Sequence, residues 1–270
     1  MCHHRARHGC LRLFMHASHR LRTLIPRHCA AAFAAARAST RASAIGLPLA
    51  CSLAFFFYPA TAFAQWSGSI TAASEYRYRG TDFSDGKPSL QAGVAYDAGS
   101  GWYAGGFGAS TRLADRGGTQ LLAYGGYARR LANGLAWDAG ISTVQVTQDE
   151  YGSYQELYAG LSRGGANGGV SARMSWSPRY AGGEARTLYC ELDASTALSG
   201  KVDAFFHAGT LRTLSGPRPP QRADLRAGVA ARFGAFGLQV AYVRNNHRPA
   251  YRYAPAPSPH AVIVSVSQGF

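Results

Sequence analysis

Alternation with a period of two runs through residues 67–270, and it is clearest in residues 69–112. There Ile70, Ala72, Ser74, Tyr76 and Tyr78 fall on one side of an extended chain. Ser69, Thr71, Ala73, Glu75, Arg77 and Arg79 fall on the other. Such alternation with aromatics predicts a β-strand whose two faces meet different media. Residues 81–88 read as a polar loop around Asp85-Gly86, a strong turn pair. A second strand follows, with Leu90, Ala92, Val94 and Tyr96 opposite Gln91, Gly93, Ala95 and Asp97. The turn Gly99-Ser100-Gly101 sends a third strand off from Trp102.

The same rhythm continues to the end and predicts twelve strands. They lie near 67–79, 89–98, 101–112, 119–131, 134–146, 153–163, 168–177, 185–197, 200–211, 222–233, 236–246 and 260–270. The connections alternate in character. Those at 99–101, 132–134, 164–168, 199–200 and 234–235 are short and rich in glycine. Those at 81–88, 114–118, 147–152, 178–184, 213–221 and 247–259 are longer and polar or proline-rich. Short turns on one side and longer loops on the other are the pattern of an outer-membrane barrel with both termini in the periplasm. The expected fold is therefore all-β, an antiparallel transmembrane up-and-down β-barrel of residues 65–270.

Residues 1–64 have a different composition. They hold eight Arg, no Lys, no acid, six of the nine His and four of the five Cys. An apolar run over residues 44–58 leads to Ala62-Phe63-Ala64. This order of basic, apolar and small residues predicts a secretory signal cleaved after Ala64. Loss of those eight arginines lowers the net charge from +14 to +6. Only Lys87 and Lys201 are lysines, so no polybasic patch remains and nucleic acid is not an expected partner. Cys190 is the single cysteine after residue 64, which excludes an intrachain disulfide and a cysteine-based zinc site there. A closed barrel suits what remains, because closure satisfies every backbone polar group in lipid.

Placing the apolar register toward lipid gives outward rows such as Leu135, Trp137, Ala139 and Ile141, or Phe236, Leu238, Val240 and Tyr242. Trp66, Tyr78, Tyr103, Tyr127, Trp176 and Tyr242, near strand ends, suit interfacial girdles. The opposite register carries the acids Glu75, Asp97, Asp138, Glu156, Glu191, Asp193, Asp203 and Asp224. It also carries Arg77, Arg79, Arg112, Arg173, Arg226, Arg232 and His207. A charge facing lipid at mid-depth costs several kcal/mol, so these are expected to line the lumen. They line either a narrow polar pore or a closed interior of ion pairs. Arg218, Arg248 and Arg252 lean the outer loops basic, toward anions or lipopolysaccharide phosphates. The last strand carries Val262, Val264 and Val266 on one face and ends on Phe270, which resembles the outer-membrane assembly signal. Gln268 departs from that signal.

The opening module also carries a family resemblance. S-E-Y-R-Y-R-G, then S-D-G-K-P-S-L-Q-A-G, then G-W-Y-A-G-G-F-G resembles the start of the TorF family of proteobacterial outer-membrane porins. Tyr76, Arg77, Arg79 and Gly80, with Ser84, Asp85, Gly86, Lys87 and Pro88, carry the likeness. The resemblance implies an outer-membrane barrel and names no substrate.

No catalytic constellation stands out. G-x-S-x-G and the zinc-protease histidine patterns are absent. His207 lies four residues from Asp203 on one face, an orienting contact without a convincing serine. Glu191 and Asp193, two apart, read as lumen lining. No metal or cofactor is expected. The expected function is a narrow porin for small polar or ionic solutes. The alternatives are a non-conducting barrel with its function in the loops and, more remotely, a barrel-embedded hydrolase. The expected partners are outer-membrane lipids and lipopolysaccharide, the barrel-assembly machinery during insertion, and the solutes.

Overall fold

The computed structural model describes residues 65–148, 152–216, 221–246 and 258–270. The expected signal with Ala62 and Ala64, and the loop residues Arg218, Arg248 and Arg252, lie outside them. The first half comprises β1 (Gln65–Ala73), β2 (Arg77–Tyr78), β3 (Thr81–Asp82), β4 (Ser89–Asp97), β5 (Trp102–Leu113), β6 (Arg116–Arg130) and β7 (Leu135–Val146). The second half comprises β8 (Tyr154–Gly165), β9 (Gly168–Ser177), β10 (Arg186–Ala197), β11 (Val202–Ser215), β12 (Arg222–Phe233), β13 (Phe236–Asn245) and β14 (His260–Gly269).

Among the described residues, twelve strands close into one antiparallel barrel. Neighbours in sequence are neighbours in the wall from β4 to β14, and β1 pairs with both β4 and β14 to seal it. Phe270 completes the seam by exchanging backbone bonds with Gly68 in both directions. The strands follow the predicted spans closely from β4 onward. The connection expected at 114–118 is tighter than predicted. Leu113 pairs with Arg116, so only Ala114 and Asp115 turn the chain, both at positive φ.

The alternation is inside out. Side chains such as Ile141, Leu161 and Val262 are more than half exposed on the outer surface, whereas Glu156 and His207 are 3% exposed in the interior. Apolar surface left in water costs roughly 25 cal/mol/Å², so this exterior suits a lipid surround. At the end with the short turns the outer surface carries an aromatic belt. Trp66 packs on Tyr96 at 5.0 Å between centroids, and Tyr127 lies between Trp102 at 5.3 Å and Trp137 at 5.8 Å. Trp176 and Tyr242 also take the outward register, as predicted. Two of the expected girdle residues do not. Tyr78 is buried, and Tyr103 points inward to Asp138.

The larger departure is the first strand. It was expected to run to residue 79, but it leaves the wall after Ala73. Ser74 closes it by exchanging hydrogen bonds with Val264. The chain then folds into the barrel, forms the small ribbon β2–β3, and rejoins the wall at Ser89. Residues 76–84, read as strand and exposed loop, are all buried. Their alternation placed Tyr76 and Tyr78 with the lipid-facing residues. Inside a barrel of this width those rings find an apolar surround of their own, and alternation cannot tell the two settings apart.

Candidate functional site

The barrel interior is divided into two halves. At the loop end the in-folded segment 74–88 fills it with its buried residues 76–84. Tyr76, Tyr78 and Phe83 pack with Phe107, Leu113, Leu122, Val144, Tyr154, Tyr180, Tyr189 and Leu211 of the wall and loops as a buried cluster. At the turn end half-buried small residues at inward positions, among them Gly93, Gly126, Gly140, Gly160, Ser162 and Ser195, are interspersed with the longer inward side chains of Tyr103, Arg130, Phe205 and Arg232.

The in-folded segment is shaped by two tight turns. Arg79 and Gly80 take φ of 50° and 73° between the paired Tyr78 and Thr81. Two consecutive positive-φ residues make the turn type that fits a two-residue hairpin. A side chain at Gly80 would also meet the Cβ of Asp224 at 2.9 Å, so glycine is required there. Asp85 and Gly86 make the second turn, at 54° and 64°. The Asp82 carboxylate accepts from the backbone N–H of Ser84 at 2.8 Å and of Gly86 at 2.9 Å, which fixes that turn. Lys87 and Pro88 sit exposed at its end.

Polar contacts fasten the segment to the wall on several sides. Arg79 makes a bidentate pair with Glu156, Nη1 to Oε1 at 2.6 Å and Nη2 to Oε2 at 2.8 Å. Its guanidinium also lies 4.2 Å from the centre of the Tyr189 ring. The Tyr76 hydroxyl donates to Gln120 Oε1 at 2.7 Å, and Asn245 Nδ2 donates to the Gly80 carbonyl at 2.6 Å. Arg222 donates to Thr81 and to Tyr180. Arg77 pairs with Glu75 and donates to the Ser258 carbonyl at 2.8 Å. Burial pushes the Glu75 carboxyl up from its ordinary value against the pull of Arg77.

Three further networks line the wall. Asp138 accepts from Arg173 Nη2 at 2.7 Å and from the Tyr103 hydroxyl at 3.0 Å, and Tyr103 touches the Tyr158 hydroxyl at 2.8 Å. His207 faces Asp193 through Nδ1 at 2.8 Å and Asp224 through Nε2 at 3.0 Å. Tyr189 donates to Asp224 at 3.1 Å, and Glu191 is buried beside Asp193. Near the turn end, Arg232 lies 3.3 Å from Asp203.

Of the residues expected to line the lumen, Asp97, Asp138, Glu156, Arg173, Glu191, Asp193, Asp203, His207, Asp224, Arg226 and Arg232 take the inward register. Glu75, Arg77 and Arg79 are inside as well, but on the in-folded segment rather than the wall. Arg112 is a correction. Its neighbours Thr111 and Leu113 are the buried ones, so its side chain takes the outward register near the loop end. The expected Asp203–His207 contact is a second correction. Both His207 nitrogens face carboxylates on neighbouring strands, and Asp203 turns to Arg232 instead. Arg222, the first residue of a predicted strand and not among the residues expected to line the lumen, is an interior residue. It shares parity with Asp224 and Arg226, a signal the sequence did contain. Gln120 and Asn245 were missed because a neutral amide gives no electrostatic reason to prefer either face.

The family model described as a bacterial protein of unknown function (Gcw_chp) matches residues 59–270. A comparison with curated proteins gives no match. Among solved structures, the barrel is similar to the NanC porin with a TM-score of 0.54 at 11% identity, covering 74% of this chain and 98% of that one. The KdgM porin aligns with a TM-score of 0.48 at 10% identity, over 76% of this chain and 99% of that one. A Pseudomonas putida toluene transporter, TodX, aligns with a TM-score of 0.44 at 10% identity, over 79% and 90%. The likeness to the NanC porin shows the fold.

Proposed function

Starting from the premise that this chain belongs to the Gcw_chp family of bacterial proteins of unknown function, we propose that it is an outer-membrane channel. It passes small polar or ionic solutes through a narrow lumen, and residues 74–88 hold the outward end closed. The observation that carries this reading is that the fastened segment fills only the loop end of the interior, while the turn end is lined by small residues interspersed with Tyr103, Phe205 and charged side chains. A barrel built only as a structural wall needs no such segment. The fastening is made by side-chain hydrogen bonds, one ion pair to the wall, a backbone bond from the Arg112 N–H to the Phe83 carbonyl at 2.7 Å, and the packing of Tyr76, Tyr78 and Phe83. The apolar exterior and its aromatic belt support insertion in lipid. The TorF-like wording of the in-folded segment, the Phe270 terminus and the Ala62/Ala64 cleavage motif support export and assembly into the outer membrane. The basic sequence of the outer loops favours lipopolysaccharide phosphates as a partner.

The test is single-channel recording of the full chain in planar bilayers. It is compared with a variant in which residues 75–87 are replaced by a flexible Gly/Ser linker. The variant is expected to conduct in larger and longer steps than the parent. A second reading, a non-conducting barrel, rests on the buried aromatic cluster at the loop end. Silence from both proteins, each inserted and migrating as a heat-modifiable barrel, would overturn the channel and favour that reading.

A further inference from the structure

The group around His207 is more specialised than the other charged networks of the wall. Asp193 and His207 stand directly opposite on β10 and β11, and Glu191 lies two residues along the same face. One ligand atom from each of the three lies within 4.8 Å of the others, and all three residues are buried. His207 Nδ1 is turned toward Asp193, so its other nitrogen, Nε2, is turned toward Asp224 at 3.0 Å. Asp224 is held in turn by the Tyr189 hydroxyl. A carboxylate that takes the N–H of an imidazole whose other nitrogen is directed at further carboxylates is the outer-shell arrangement of metal-bound histidines. It fixes the ring, and it fixes which nitrogen is left to bind.

We propose that His207 Nδ1, Asp193 and Glu191 bind one divalent transition-metal ion of the zinc class, with Asp224 and Tyr189 as its outer support. One nitrogen and two carboxylates suit a borderline ion. Calcium and magnesium call for six or more oxygens, or an octahedral set rich in water. Binding replaces the proton between Nδ1 and Asp193, which leaves to solvent. Ligand bonds of about 2.1 Å need the nitrogen and oxygen roughly 3.3 Å apart, and they stand at 2.8 Å now. A half-ångström adjustment of the Asp193 rotamer opens that space. The charges of Arg173 and Arg79 act on Glu191, but the hydrogen bonds of the two cations nearest in register reach other acceptors. Arg173, opposite Glu191, binds Asp138 at 2.7 Å. Arg226, opposite His207, donates to Gln239 at 2.7 Å.

The experiment is titration of the full-length chain in detergent with Co²⁺, followed by its visible absorption, with Zn²⁺ added as competitor. Residues 1–64 carry six His and four Cys, so the measured quantity is the difference between the parent and His207→Gln. The parent is expected to bind one equivalent more, and that equivalent should be displaced by Zn²⁺. Asp193→Asn should lose it, and Asp224→Asn should weaken it about 10–100-fold. Equal uptake by the parent and His207→Gln, both heat-modifiable, would overturn the site. Should His207→Gln not fold, Asp193→Asn and Glu191→Gln leave the imidazole in place and decide the matter by the same difference. Conductance is not a readout here, so the site stands or falls apart from the channel.

Discussion

Arg79 is the residue on which the interior turns. Its φ of 50° is a left-handed conformation that costs a side-chain-bearing residue roughly 1–2 kcal/mol. Such local strain persists only where the surroundings over-determine it. Here the bidentate pair with Glu156 and the stack on Tyr189 do so. Both partners are buried, so removing one leaves a desolvated charge. Glu156→Gln is expected to destabilise the barrel by about 3–5 kcal/mol in urea unfolding. In the Arg79→Met background the same change should cost much less. Equal cost in both backgrounds would show that the pair does not hold the segment. The sequence showed that Arg79 and Glu156 avoid lipid. It did not show that they meet, because they are 77 positions apart and period-two patterning carries no information about partners across a lumen.

At the scale of strands, the wall is built from aromatic rings laid over glycines. Tyr124 stands opposite Gly105, Tyr103 opposite Gly126, Tyr158 opposite Gly140 and Phe205 opposite Gly228. A Cβ added at Gly105 would lie 2.4 Å from the Tyr124 hydroxyl, so the ring occupies the space where a side chain would be. Aromatic cover of a cross-strand glycine is a device that pins register. Gly105→Ala is expected to cost about 1–3 kcal/mol by overpacking. In the Tyr124→Ala background most of that cost should vanish, as read by the urea midpoint. The strands themselves were legible because one face must be apolar and the other polar along every span. Tyr103 was placed on the wrong face because tyrosine suits both an interface and a polar lumen.

For the whole molecule, the inverted distribution of polarity is the governing fact. Ile141 is 62% exposed near the middle of β7. Ile141→Arg is expected to destabilise a lipid-embedded barrel by about 2–4 kcal/mol. On a water-facing surface the same change is near neutral. Unfolding in bilayers distinguishes the two, and a neutral result would remove the lipid-facing exterior.

By itself the sequence determined the strands from β4 onward, most of the connections between them and the two-faced wall, since each follows from local alternation and turn chemistry. It also determined that most of the charges face inward, since lipid forbids the other arrangement. Only the tertiary structure decided that residues 74–88 turn into the barrel. Their alternation is equally satisfied by lipid and by an aromatic interior, and closure alone creates that interior. It decided too that His207 meets Asp193 and Asp224 rather than Asp203. Those contacts cross strand boundaries, and register between strands is fixed by the packing of the closed wall rather than by spacing along one strand.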